Sequence, residues 1–272
     1  MNLIYLAGVT DSFGRNHLIL IGICILLIIG LSLVIAKTDI KFSTLVNIML
    51  IIWVISESTK LVSNMHYLLS DGTIVKILEY NKTEGVSILS AYYPRTDLPF
   101  HLCSIQPLLI LIVKFTKNNK LKDLLLKFIF PTATLGAVIA IFVGTVGGDF
   151  SNPHTYEYFF FHALLTIFAI SIVIKKQITI TFKSHLQTLL MISLMFVISI
   201  WLNSILSDTG SSSVDAYTNF LYSMRPPLEG LPLLNLNNGW FTYFFTIVGI
   251  GFTTITILQL PFIIKNKKIG KN

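Results

Sequence analysis

The chain has 272 residues, 53% of them hydrophobic and only 12% charged, with a mean hydropathy of +0.74. Soluble domains carry about a quarter of their residues as charged ones, so this composition excludes a water-soluble domain and points to a polytopic membrane protein. The formal charge of +7 belongs to loops beside a membrane rather than to a nucleic-acid surface, and no nucleic-acid partner is expected.

Seven membrane spans are expected in chain order: 17–36, 43–64, 98–115, 124–146, 157–174, 186–206 and 240–264. Each is about 18 to 25 residues, enough to cross a ~30 Å hydrocarbon core at ~1.5 Å per residue. The apolar runs are continuous rather than alternating, which favours an all-α bundle over a barrel. The fold class expected is therefore an all-α polytopic membrane protein, one seven-helix domain over residues 1–272. The opening MNLIYLAGVTDSFGRN has no early lysine or arginine, so no cleavable signal peptide is expected. Cys24 and Cys103 do not make a disulfide framework.

The segments after spans one, three and five, with the C-terminal tail, hold fourteen of the twenty basic residues. Lys37, Lys114, Lys120, Lys175 and Lys265 are among them. The positive-inside rule puts this side in the cytoplasm, so the N-terminus is expected outside and the C-terminus inside, in a multi-pass protein of the cell membrane. Two long outer loops, 65–97 and 207–239, are candidates for lids or binding elements. Tyr92, Tyr93, Tyr156, Tyr158, Trp240 and Tyr243 mark the outer interface.

Polar residues converge in the outer half. Cys103 lies about five residues, or ~7.5 Å, below the expected outer start of its span, and His162 sits equally deep in its own. Glu57 lies ~10 Å below the outer end of the second span. A carboxylate there costs about 2.5–3.5 kcal/mol on insertion scales, so it should face the bundle interior or a wet cavity; pairing with Lys60 at i,i+3 is the structural alternative. His101, Gln106, Asp149 and His154 belong to the same outer half. His101 stands two residues from Cys103, about 200° around a helix, so helical spacing alone does not put the two on one face.

Cys24 reads as an apolar packer. Cys103 differs, because Pro107 four residues on has no N–H and is expected to kink the helix at the cysteine. Asp97-Leu98-Pro99 fits a helix start, whose free amides and partial positive charge favour a thiolate. A thiol with an imidazole is the minimal machinery for acyl transfer, and such pairs meet in space rather than in sequence. No H-x-x-x-H or C-x-x-C spacing and no glycine-rich phosphate loop is present, so neither a metal nor a cofactor is expected.

These residues carry a resemblance. LPFHLCSIQP at 98–107, the histidine in YFFFHALL at 158–165, NFLYSMRPPLEG at 219–230 and GWFTYFF at 239–245 are similar to the bacterial YwaF family of integral membrane proteins. That family is related to the animal transmembrane-protein-164 acyltransferases. The resemblance implies a seven-helix fold shared with androgen-induced intramembrane hydrolases, which cleave fatty-acid esters with a threonine and a histidine. In the acyltransferase relatives a cysteine and a histidine hold those roles, which by motif fall on Cys103 and His162. The family's asparagine and basic-proline pair match Asn219 and Arg225-Pro226, where lysine is common in place of arginine.

The function expected is an intramembrane lipid acyltransferase or acyl-ester hydrolase using Cys103 and His162. Glu57, His101, Gln106, Asn219 and Arg225 would orient or bind substrate, a guanidinium being suited to a lipid phosphate. The expected partners are membrane phospholipids or other acyl lipids, with no obligate protein partner. Two other readings stay open: a small-molecule transporter or substrate-binding component, with Pro107 and Pro131 breaking its helices, and a receptor or scaffold presenting its outer loops.

Overall fold

The computed structural model describes residues 13–82, 84–143, 150, 152–207, 217–227 and 233–269. Asp149, residues 144–146 of the fourth expected span and residues 228–230 lie outside the described residues.

Among the described residues six helices are long and apolar enough to cross a bilayer. They are α1 (Arg15–Lys37), α2 (Phe42–Asn64), α4 (Asn119–Val143), α5 (Pro153–Ile174), α6 (Phe182–Leu206) and α7 (Trp240–Ile269). Their positions follow the apolar runs, with ends moved by up to five residues where capping residues take over. Asn152 starts α5 by accepting the His154 N–H at 2.9 Å, with Pro153 in the first turn. Thr181 and Ser184 start α6 by bonding each other's backbone reciprocally, the arrangement that satisfies first-turn donors.

The third expected span differs. Helix α3 covers only Gln106–Phe115, ten residues, which is shorter than a crossing. Residues 101–105 form turns instead, and the Cys103 carbonyl accepts the Gln106 N–H at 3.3 Å. The physical reason is the position of Pro107. In a helix's first turn its missing N–H costs nothing and its fixed φ is already helical, so Pro107 begins α3 rather than kinking a longer helix.

Pro131 does not break its helix either, since α4 runs through it. Proline deprives the carbonyl four residues earlier of its partner, and that carbonyl, on Lys127, instead accepts Gln259 Nε2 from α7 at 3.4 Å. Gln259 is fully buried and also binds His185 Nδ1 of α6 at 2.8 Å. A proline in α4 thus becomes a polar tie among α4, α6 and α7.

The loop at 65–97 is neither a helix nor featureless. It holds a three-stranded antiparallel sheet in the order β2–β1–β3, from β1 (His66–Leu69), β2 (Ile74–Lys76) and β3 (Ile88–Tyr92). His66 pairs with Lys76 on one side and Tyr92 on the other, and a bulge falls between Leu68 and Leu69. The β1–β2 turn uses Gly72 at φ +83°, a value that suits glycine, and Asp71 Oδ1 accepts the Thr73 N–H at 2.9 Å. Asn64, the last residue of α2, donates to Asp97 Oδ2 at 2.8 Å, fixing the sheet's exit over the bundle. This end, with the sheet and the 217–227 loop, is called the capped end below.

The core lies where α5 packs against α1, α2 and α4. Ile110, Ile129, Ala133, Leu165, Ala169 and Ile172 are fully buried there. Apolar side chains also cover the outer surface, with Leu26 72%, Leu190 71% and Phe241 70% exposed. Apolar residues both inside and outside are the pattern of helices that face lipid.

Candidate functional site

A cavity of about 840 Å³ opens below the capped end, within the range typical of small-molecule sites. α2, α4, α5, α6, α7, the 101–105 turns and the 217–227 loop all contribute to its wall. One part is polar, with Glu57, Lys60, His154, Glu157 and Arg225; another, between α4, α6 and α7, is apolar.

Cys103 and His162 both line it, brought together from the turns before α3 and from the third turn of α5's buried face. The thiol is half-buried and the imidazole buried, and the two side chains interact electrostatically. His162 Nδ1 stands 2.5 Å from the Tyr158 carbonyl. A carbonyl can only accept, so Nδ1 carries the proton and, in the neutral ring, Nε2 keeps its lone pair. Nε2 is buried without a hydrogen bond of regular geometry, so its interaction with the thiol is a looser one, as is common before a substrate tightens such pairs. The Ser104 hydroxyl lies 3.9 Å from the sulfur.

The other expected residues divide. Glu57 lines the cavity and pairs there with Lys60 Nζ at 2.9 Å, the i,i+3 ion pair of the structural alternative. His101 shares the cavity with Cys103 although a helix would separate them, because residues 101–105 are turns rather than helix. Its ring packs edge-on to Phe220 at 5.4 Å and beside Tyr222 at 5.6 Å. Gln106 does not reach the cavity wall. It is fully buried and donates to the Leu102 carbonyl at 2.9 Å and Thr132 Oγ1 at 3.2 Å, joining α3 to α4.

Asn219 and Arg225 both border the cavity through the 217–227 loop. The Asn219 amide oxygen accepts the Met224 and Arg225 N–H groups at 3.2 Å each, and its NH₂ donates to the Arg225 carbonyl at 2.9 Å. Asn219 therefore holds the loop that carries Arg225. The exposed Arg225 guanidinium donates to the Tyr217 carbonyl at 2.8 Å.

Three features were not read from the sequence. Glu157 is nearly buried, accepts the Ser56 hydroxyl and pairs with His154 Nδ1 at 2.9 Å. The spacing of His154, Glu157, Tyr158 and His162 along one helix face was the available signal. Asn203, 2% exposed on α6, accepts the Phe220 N–H at 2.8 Å and donates to the Phe220 carbonyl at 3.1 Å and Ser223 Oγ at 2.9 Å. It pins a 3₁₀ turn whose Leu221 and Tyr222 have φ of 55° and 53°, a strained conformation for such side chains that a rigid surround must hold. Gly136 of α4 is the third, pressed against the Cys103 backbone.

Among the described residues no group of three or more His, Cys, Asp or Glu side chains is arranged to hold a metal ion. No curated protein and no solved structure matches the chain. The TMEM164 family model matches residues 12–259, which is most of the sequence; with six apolar helices of crossing length, the chain is a multi-pass membrane protein belonging to the TMEM164 family.

Proposed function

We propose that this protein is an intramembrane acyl-transfer enzyme that acts on lipid esters, with Cys103 as nucleophile and His162 as general base and acid. The observation that carries the reading is the tautomer of His162, fixed by the Tyr158 carbonyl, with Nε2 left as acceptor in the cavity that Cys103 shares. The resemblance of LPFHLCSIQP and YFFFHALL to the YwaF proteins, and through them to intramembrane ester hydrolases, supports the same assignment.

In the first step Nε2 takes the thiol proton as sulfur attacks the ester carbonyl. The sulfur–carbon bond forms, the ester carbon–oxygen bond breaks, and the departing alkoxide takes the proton from the imidazolium. The products are a Cys103 thioester and a lipid alcohol. In the second step a lipid hydroxyl or water gives its proton to Nε2 and attacks the thioester, the carbon–sulfur bond breaks, and the thiolate recovers the proton. Arg225, at the polar end, would receive a phosphate, while Glu57, His101 and Asn219 line or hold that end. The reading includes an outside N-terminus, an inside C-terminus and a third crossing made of α3 with the turns before it. The capped end would then face outward.

The test is mass spectrometry of the purified protein after incubation with mixed diacyl phospholipid vesicles. The expected result is a hydroxylamine-sensitive acyl adduct on Cys103, absent in Cys103→Ser and in His162→Ala. Lipid turnover that persists unchanged in Cys103→Ser would overturn the thiol mechanism.

A further inference from the structure

The apolar part of the cavity has a direction. Measured from the capped end, His162 lies nine residues into α5, ~13 Å down at ~1.5 Å per residue. Gly251 lies eleven residues into α7, ~16 Å down, and Ile192 lies fourteen residues from the end of α6, ~21 Å down. Both line the same cavity as Cys103. An arm of the cavity thus continues past the Cys–His pair toward the middle of the bundle. Its walls are Leu135 and Ile139 of α4, Ile192 and Phe196 of α6, and Ile247 and Gly251 of α7. None of these side chains offers a hydrogen bond, so the arm suits hydrocarbon and no polar solute. Beneath it, Ile192 belongs to a packed cluster with the buried Phe128 and Ile255, which forms a floor.

Gly251 is the open point of this arm. A β-carbon placed there meets no atom within 4 Å, and the residue has no positive φ that would strain a side chain. A larger residue would therefore enter the empty arm rather than collide with a neighbouring helix. Ile250 beside it lines the same cavity and is 38% exposed.

We propose that the α4–α6–α7 arm is the binding site for the acyl chain of the ester, and that Gly251 determines preference for long chains over short ones. The inference rests on the acyl-transfer reading, because the arm gains this meaning from its continuity with Cys103 and His162. With the carbonyl at the thiol, the polar part of the lipid reaches toward Lys60 and Arg225, and the chain runs the opposite way into the arm. Filling the arm with a bulky side chain should exclude long chains while acetyl groups, which end near the thiol, still fit.

The experiment has two readouts. In the first, the protein is incubated with 4-nitrophenyl acetate or 4-nitrophenyl palmitate, and the Cys103 adducts are quantified. The palmitoyl-to-acetyl ratio should fall about tenfold or more in Gly251→Trp, the scale at which a pocket discriminates chains by fit. Ile192→Trp blocks the arm from the facing helix and should lower the ratio likewise, which separates a plug from local damage to α7. A ratio unchanged in both variants overturns the proposal. In the second, a palmitate carrying a diazirine near the middle of its chain is photo-crosslinked to the Cys103→Ser protein. Crosslinks within 192–196 and 247–251 that vanish in the Gly251→Trp form of that protein support the arm without requiring turnover; crosslinks confined to other segments overturn it. If wild-type protein forms no Cys103 adduct with either ester but crosslinks in the arm, the thiol mechanism falls while the chain site stands.

Discussion

The Cys103 backbone lies against Gly136 so closely that a β-carbon at 136 would come within 3.3 Å of the Cys103 nitrogen and of Leu102 Cβ. The contact sets the α4 helix against the Cys103 backbone and the base of the Leu102 side chain, and the backbone cannot yield without moving the turn. The 101–105 turns sit on α4 at this point, and Gly136 sets how near the thiol comes to the α5 histidine.

Gly136→Ala should therefore move the Cys103 turn by a few tenths of an ångström and leave the helices in place. Misplacement by ~1 Å costs roughly a hundredfold where reacting groups must align, so a smaller shift should slow Cys103 acylation by about tenfold. Gly136→Val should slow it further. The check is the rate of adduct formation with 4-nitrophenyl acetate, compared with the rate of simple alkylation by iodoacetamide. A loss in acylation alone identifies misalignment with His162, whereas equal losses identify a buried thiol.

Cys103 should react from the outer side of the membrane. Cys24 is 1% exposed and its thiol contacts the Phe159 carbonyl at 3.5 Å, so it is a poor target. A Cys24→Ser protein then reports Cys103 alone. In intact cells a membrane-impermeant maleimide should label it, and preloading the cavity with a long-chain alcohol should slow that labelling. Labelling only after the cells are opened would reverse the proposed orientation, with the N-terminus inside.

The sequence made the long helices legible because a bilayer fixes their length: a 20-residue apolar run has one economical structure. It also set Cys103 beside His162 at one end of the bundle, where both line one cavity, since comparable depths on two segments expected to run the same way survive errors of a few residues. Depth carries no azimuth, however. The doubt that His101 shares a face with Cys103 assumed helical geometry across 101–105, and that geometry begins only where Pro107 starts α3. The sheet had a visible signal in SDGT, since Asp-Gly between apolar runs favours a hairpin turn. Gly136 and Asn203 were harder. Each acts through a partner far along the chain, the Cys103 turn and the 220–223 turn, and spacing along a sequence does not report such meetings.

Asn203 is the clearest stability prediction. Its amide makes three buried bonds to the 220–223 turn, two as donor and one as acceptor. Asn203→Asp replaces the donating NH₂ with an acceptor facing the Phe220 carbonyl, so that bond is lost and two acceptors oppose each other, while the Ser223 hydroxyl must turn to donate. Asn203→Leu leaves the Phe220 N–H and carbonyl without that partner. A buried group left unpaired costs about 1–3 kcal/mol, and the turn's positive φ values return about 1 kcal/mol or more each when released. Both variants should unfold at lower temperature in detergent, and limited proteolysis should cut first within 217–227. Cuts elsewhere would show that Asn203 supports α6 rather than the turn.

Glu157 lies in the cavity wall with one carboxylate oxygen taken by Ser56 of α2 and the other by His154. Through Ser56 it ties α5 to α2. Removing it by Glu157→Ala leaves both partners unpaired in a nearly closed site, and a loss of about 1–3 kcal/mol follows from the lost charged hydrogen bonds. Glu157→Gln should be milder, because the amide oxygen still accepts from Ser56 and the NH₂ can donate to His154 Nδ1 once that ring presents its lone pair. Ser56→Ala removes one bond and should fall between wild type and Glu157→Ala. Since Ser56 and Glu157 touch each other, the double variant Ser56→Ala/Glu157→Ala should cost less than the sum of the singles. Thermal unfolding of the four proteins in one detergent measures this coupling, and strict additivity would mean that the two side chains do not hold α2 to α5.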